Sequence, residues 1–64
     1  MVNIDRIRGC MAEKGDKQKD LARILNLSLT SVNIKLTGKT DFTVSEISKI
    51  AERYKKSISF FISK

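Results

Sequence analysis

The chain has no histidine, no proline, a single cysteine, only three glycines, and no apolar run near the length of a membrane span. Each absence removes a class of function. Without histidine the commonest metal ligand and general base is missing, and Cys10 has neither an internal disulfide partner nor a resolving thiol. No metal site, Cys-His pair or redox chemistry is expected, and Cys10 reads as a small apolar residue at the edge of a core. A spanning helix needs about 18 or more apolar residues in a row, and the opening MVNIDRIRG lacks the apolar stretch of a secretory signal. The expectation is a cytoplasmic protein with no membrane partner. The lack of proline and of long β-branched runs argues for helices throughout, although residues 58–62, ISFFI, have the composition of a strand as well.

What is present bounds the rest. Sixty-four residues make one domain, 1–64, with a thin core, since a chain this short buries only about 60% of the surface its unfolded form exposes. At 41% apolar and 31% charged it is too apolar for a disordered basic tail. Thirteen Lys and Arg against seven Asp and Glu give a net charge of +6. That is the footprint of a nucleic-acid binder, and also of a solvated basic surface or one drawn to anionic lipid. No paired carboxylates are brought together by the helix pattern, so no nucleophile, base and oxyanion site can be assembled. Neither an enzyme nor a cofactor is expected.

Residues 17 to 38 carry the organising pattern. Leu21, Ala22 and Leu25 form an apolar stripe at helical period, with Lys17, Lys19 and Arg23 on the other face, and Val32 and Leu36 repeat the spacing. Between them Asn26 tolerates a left-handed backbone and Leu27 turns back inward. This predicts a helix over 17–25, a tight corner, and a helix over 29–37 capped by Ser28 and closed by Gly38. Before them, 3–14 reads as a helix capped by Asn3 and stopped by Gly15, with Ile4, Ile7 and Met11 inward. Gly9 within it marks either a close helix crossing or a tolerated defect. Asp16 is the expected cap of the second helix. After them, Thr43 with Glu46 fits a capping box and Phe42 with Ile47 a hydrophobic staple, starting a fourth helix whose stripe of Ile47, Ile50, Ala51 and Tyr54 runs to about Lys55. Ser57 then caps a last turn or two. Ile58 and Phe61 are expected in the core, leaving Phe60 and Ile62 as candidate dimer contacts.

With Val32 and Leu36 inward, Thr30, Ser31, Asn33, Ile34, Thr37 and Leu29 lie partly or wholly outward. Asn can bond an adenine edge bidentately, Ser and Thr donate or accept, and Ile or Leu can touch a thymine methyl. Lys35, Lys39 and the GKTD loop (38–41) flank this face with phosphate-gripping groups. An outward Leu29 and Ile34 also fit a surface that docks another protein.

Gln18 opening the second helix, Leu21-Ala22 with Leu25, Leu27-Ser28 at the corner, Val32, Gly38-Lys39, and the Ile47, Ile50, Ala51 stripe together resemble the lambda-repressor-like, Cro/repressor-type (XRE) helix-turn-helix family. In length, and in the phrase VNIKLTGKTDFTVSEI, the chain looks most like small Cro-type regulators of phages or prophages. The resemblance covers nearly the whole chain. It implies an all-α bundle of five short helices, the second and third forming the helix-turn-helix, and a homodimer on double-stranded operator DNA with half-sites about 34 Å apart. By position it implies base reading by Gln18, Leu29, Thr30, Asn33 and Ile34. The phosphate contacts expected around them are Lys17, Lys19, Ser31, Lys35, Thr37, Lys39 and Thr40. Three residues depart from the family pattern: Leu29 replaces a polar reader, Asn26 the frequent corner glycine, and Lys17 a Ser or Thr cap. The expected function is a transcriptional regulator. The alternative on the same fold is an anti-repressor or antitoxin-like module that docks a partner regulator protein.

Overall fold

Asn3 opens the first helix by accepting a donor the helix cannot satisfy internally: its Oδ1 takes the Arg6 N–H at 3.1 Å, and Asp5 follows in the turn where the helix dipole favours a carboxylate. This helix, α1 (Ile4–Lys14), ends at Gly15, whose φ of 73° lies in the left-handed region. The computed structural model describes residues 2–62. In it α2 (Gln18–Leu25), α3 (Leu29–Leu36), α4 (Val44–Tyr54) and α5 (Ile58–Ile62) follow, so the fold is all-α, and no strand occurs among the described residues. Residues 58–62 are helical.

Every helix contributes to one core. Ile7 of α1, Leu21 of α2, Val32 of α3, Ile47 and Ile50 of α4 and Phe61 of α5 are fully buried, and no polar side chain is buried with them among the described residues. Thr43 and Glu46 form the reciprocal capping box of α4, Thr43 Oγ1 accepting the Glu46 N–H at 3.1 Å and Glu46 Oε1 accepting the Thr43 N–H at 2.8 Å. Phe42 and Ile47 are both buried, as a hydrophobic staple requires. Cys10 is buried, and burial pushes its thiol pKa up.

Several expectations are corrected. Asp16 does not cap α2. Lys17 is the cap residue, and Asp20 accepts its backbone N–H at 2.8 Å; Asp16 instead accepts Nε and Nη2 of Arg53 at 3.2 and 2.8 Å and the Tyr54 hydroxyl at 2.8 Å. The carboxylate thus ties the α1–α2 connection to the end of α4. The second helix begins at Gln18, and α3 ends at Leu36 with Thr37 as its cap. A Cβ at Gly9 would meet nothing within 4 Å, so no helix crosses there.

The largest difference is the facing of α5. Ile58 is 39% exposed, whereas Phe60 is half-buried, edge-on to Phe61 at 5.1 Å between centroids, with Arg6 and Lys56 4.7 and 5.2 Å from its ring centroid. The reason is in the backbone: the Asn3 N–H donates to the Phe61 carbonyl at 2.6 Å and Arg6 Nη1 to the Phe60 carbonyl at 2.8 Å. Those bonds lay α5 against the start of α1, which turns Phe60 toward Arg6 and Ile58 toward solvent. Phe60 is therefore partly covered, and Ile62, at 42% exposure, is the more open of the two expected dimer contacts.

Candidate nucleic-acid interface

The α2–α3 unit is built by local chemistry at its corner. Asn26 takes φ 57° and ψ 44°, and its N–H and that of Leu27 return to the Arg23 and Ala22 carbonyls at 3.3 and 2.9 Å. Asn is the non-glycine residue best suited to this, so the missing corner glycine costs little. Ser28 Oγ then accepts the Ser31 N–H at 3.1 Å and donates to Ser31 Oγ at 2.9 Å, starting α3. The far end of α3 is held from another element: Arg8 Nη2 donates to the Leu36 carbonyl at 3.1 Å, satisfying one of the acceptors a helix leaves unpaired. With Val32 and Leu36 locked inside, the direction of the outer face is determined.

That face brings together Gln18, Thr30, Asn33, Ile34 and Leu29. Asn33 Nδ2 donates to Gln18 Oε1 at 3.2 Å, joining the first turn of α2 to the middle of α3. Leu29 is 53% and Ile34 37% exposed, and Thr30 is exposed. Thr37 is exposed and its Oγ1 donates to the Ile34 carbonyl at 2.6 Å, and Ser31 is half-buried with its hydroxyl engaged by Ser28. Lys17, Lys19, Lys39 and Thr40 are exposed.

Lys35 stands apart from the other expected phosphate contacts. Its Nζ donates to the Asp41 carbonyl at 3.0 Å and pairs with Glu46 Oε1 at 3.1 Å, both side chains being only 15% exposed, and it lies 5.8 Å from the Phe42 ring centroid. Burial pushes the Glu46 carboxyl up, but the Thr43 N–H and Lys35 outweigh it and hold the pKa below the usual carboxylate range. Lys35 is thus a strut between α3 and α4 rather than a free surface cation. Neither the Lys35–Glu46 pair nor the Arg8 cap has a local signal, because the two partners of each lie eleven or more residues apart in sequence. A second feature had no sequence signal either: Val44, at 75% exposure, borders a hollow of about 220 Å³ shared with Val2, Asp41, Phe42, Ile47 and Ile62.

The family model of the BetR domain matches residues 2–64. This chain is a member of the BetR domain family. The BetR domain is a small helical domain of helix-turn-helix type found in some phage and bacterial regulators, in agreement with the five-helix architecture and the α2–corner–α3 unit. No curated protein and no solved structure matches the chain. Among its described residues, no helix of this BetR domain is long and apolar enough to cross a membrane.

Proposed function

We propose that this BetR domain is a sequence-specific DNA-binding transcriptional regulator of Cro/repressor type, with α3 in the major groove and α2 across the backbone. The observation that carries the reading is the outer face of α2–α3: Gln18, Thr30 and Asn33 present amide and hydroxyl groups, and Lys17, Lys19 and Lys39 are exposed beside them. Groups of the first kind discriminate base edges and those of the second position phosphates. The domain is 25 Å in its longest extent, less than the roughly 34 Å between successive half-sites on one side of a duplex. One copy therefore reads one half-site, and a full operator takes a homodimer. Ile62, with Val44 and Val2 around the adjoining hollow, is the apolar surface suited to that pairing. The mechanism is occupancy of promoter DNA and needs no chemical step.

The test is an unbiased selection of DNA sequences bound by the purified protein. A palindromic sequence with half-sites one helical turn apart is the expected result; failure to enrich any sequence would overturn the reading. One observation favours a second reading, the exposure of Leu29 and Ile34 on the same face, which suits docking to another regulator. A gel shift seen only when a partner regulator is added would favour it.

A further inference from the structure

Gly9 stands inside α1 without a backbone or packing reason to be glycine: the helix runs through it, its φ is not positive, and a Cβ there would meet nothing within 4 Å. A glycine in a helix interior is destabilising relative to alanine. What its missing side chain leaves open is a hollow of about 260 Å³ between α1 and the start of α5, lined by Arg6, Gly9, Cys10, Glu13, Lys56 and Phe60. We propose that this hollow binds a small organic monocarboxylate, its carboxylate held by Arg6 and Lys56 and its apolar body lying over Gly9 and Cys10.

The charge of the lining selects the ligand. Arg6 and Lys56 lie 4.7 and 5.2 Å from the centroid of the same Phe60 ring, and neither has an acidic partner among the described residues. Two cations gathered on one ring repel each other, and an anion between them relieves that repulsion. Arg6 spends Nη1 on the Phe60 carbonyl at 2.8 Å, which leaves most of the five guanidinium donors free for a carboxylate, and Lys56 adds an ammonium. Glu13 is the only carboxylate in the lining, so one positive charge is in excess; that suits a monoanion and opposes a second acidic group. The remaining wall is uncharged. Burial pushes the Cys10 thiol pKa up, which keeps it neutral, and Gly9 offers bare backbone. The volume is below the roughly 300 to 1,000 Å³ of sites for drug-sized molecules, so the ligand is small. Arg6, Gly9, Cys10 and Glu13 form one ridge of α1 at i, i+3, i+4 and i+7. Arg8, two residues from Arg6, points to the other side of the helix and caps α3 there, so the hollow is turned away from the outer face of α2–α3.

The experiment titrates benzoate, as the probe, into the full chain and follows backbone amide NMR shifts and the melting temperature. Saturable shifts confined to the stretches around Arg6 to Glu13 and Lys56 to Phe60 are expected, with an affinity in the roughly millimolar range for so small a ligand. The melting temperature should climb with the logarithm of benzoate concentration above that range. Benzyl alcohol, which keeps the ring and lacks the charge, should not bind, and phthalate, with a second carboxylate, should bind more weakly than benzoate. Gly9→Leu puts a good helix former into the hollow; it should melt no lower than the wild type and lose the saturable shifts. Lys56→Gln should weaken benzoate about 2- to 5-fold, as expected for one exposed ion pair, and Glu13→Gln should strengthen it. The site is overturned if the shifts spread equally to Lys17, Lys19 and Lys39, which marks general attraction to a basic surface, if benzyl alcohol binds as well as benzoate, or if folded Gly9→Leu still binds. Should Gly9→Leu fail to fold, unchanged binding by Lys56→Gln overturns it equally.

Discussion

Among the described residues, two other than glycine adopt positive φ, Asn26 at 57° and Lys55 at 56°, and each closes a helix. Asn26 is legible in sequence because its short amide is suited to the left-handed region. Lys55 is not, because nothing in its side chain favours that conformation, which costs a non-glycine residue roughly 1 to 2 kcal/mol. Lys55→Gly is therefore expected to stabilise the domain by about 1 kcal/mol, raising the melting temperature by about 4 to 8 °C. Gly9 has the opposite problem, a helix interior with open space where a Cβ would sit, so Gly9→Ala should gain up to about 1 kcal/mol in the same melting assay. On the outer face, residue chemistry separates two roles. Asn33→Ala should cost about 1 to 3 kcal/mol on the preferred DNA sequence and relax the preference at one base pair, whereas Lys39→Ala should weaken all sequences alike. Competition binding with mutated operators reads both, and an equal loss on every sequence for Asn33→Ala would remove it from the readers.

At the scale of elements, what could be read in advance was what is local. The Asn3, Ser28 and Thr43–Glu46 caps and the Gly15 stop each depend on residues within a turn, and each is in place. What could not be read depends on partners distant in sequence: the facing of α5, set by Asn3 and Arg6, and the role of Asp16, set by Arg53 and Tyr54. A carboxylate just before a helix is chemically a good cap. It lost to two donors on α4 that no spacing rule connects to it. The hydrogen bonds from Arg53 and then Tyr54 hold the Asp16 carboxyl below its ordinary pKa, while burial first and the Asp16 bond second push the Tyr54 hydroxyl up. A depressed folded-state pKa contributes stability that is present above the unfolded carboxylate value, near 3.9, and is lost as pH falls through the folded value. Glu46 is depressed in the same direction. Melting temperature should thus fall steeply below about pH 4. Asp16→Asn should lower it by several degrees at pH 7 and make the acid decline shallower without abolishing it, because Glu46 still titrates. Coincident melting curves for the two proteins between pH 7 and 2 would show that the Asp16 cluster contributes nothing.

For the whole molecule, a charge of +6 left the choice between nucleic acid and a merely basic surface open, and the geometry sharpens it by showing which cations are already used. Arg53 is paired with Asp16, Arg6 lies over Phe60 and bonds its carbonyl, Arg8 caps α3, and Lys35 is held by Glu46. Lys17, Lys19 and Lys39 beside the outer face have no acidic partner among the described residues. If the dimer neutralises about 6 to 10 phosphates, its affinity falls about 10³- to 10⁵-fold between roughly 50 and 200 mM salt. The slope of log affinity against log salt then assigns each lysine, since every phosphate contact contributes about 0.9 to it. On the proposed dimer, with Lys39 gripping one phosphate in each half, Lys39→Ala should reduce the slope by about 2. Lys35→Met, which keeps the apolar stem over Phe42 and removes only the ammonium, should weaken the fold while leaving the slope unchanged. An equal reduction for both variants would place Lys35 at the DNA backbone despite its bond to Glu46, and a wild-type affinity indifferent to salt would remove nucleic acid as the partner.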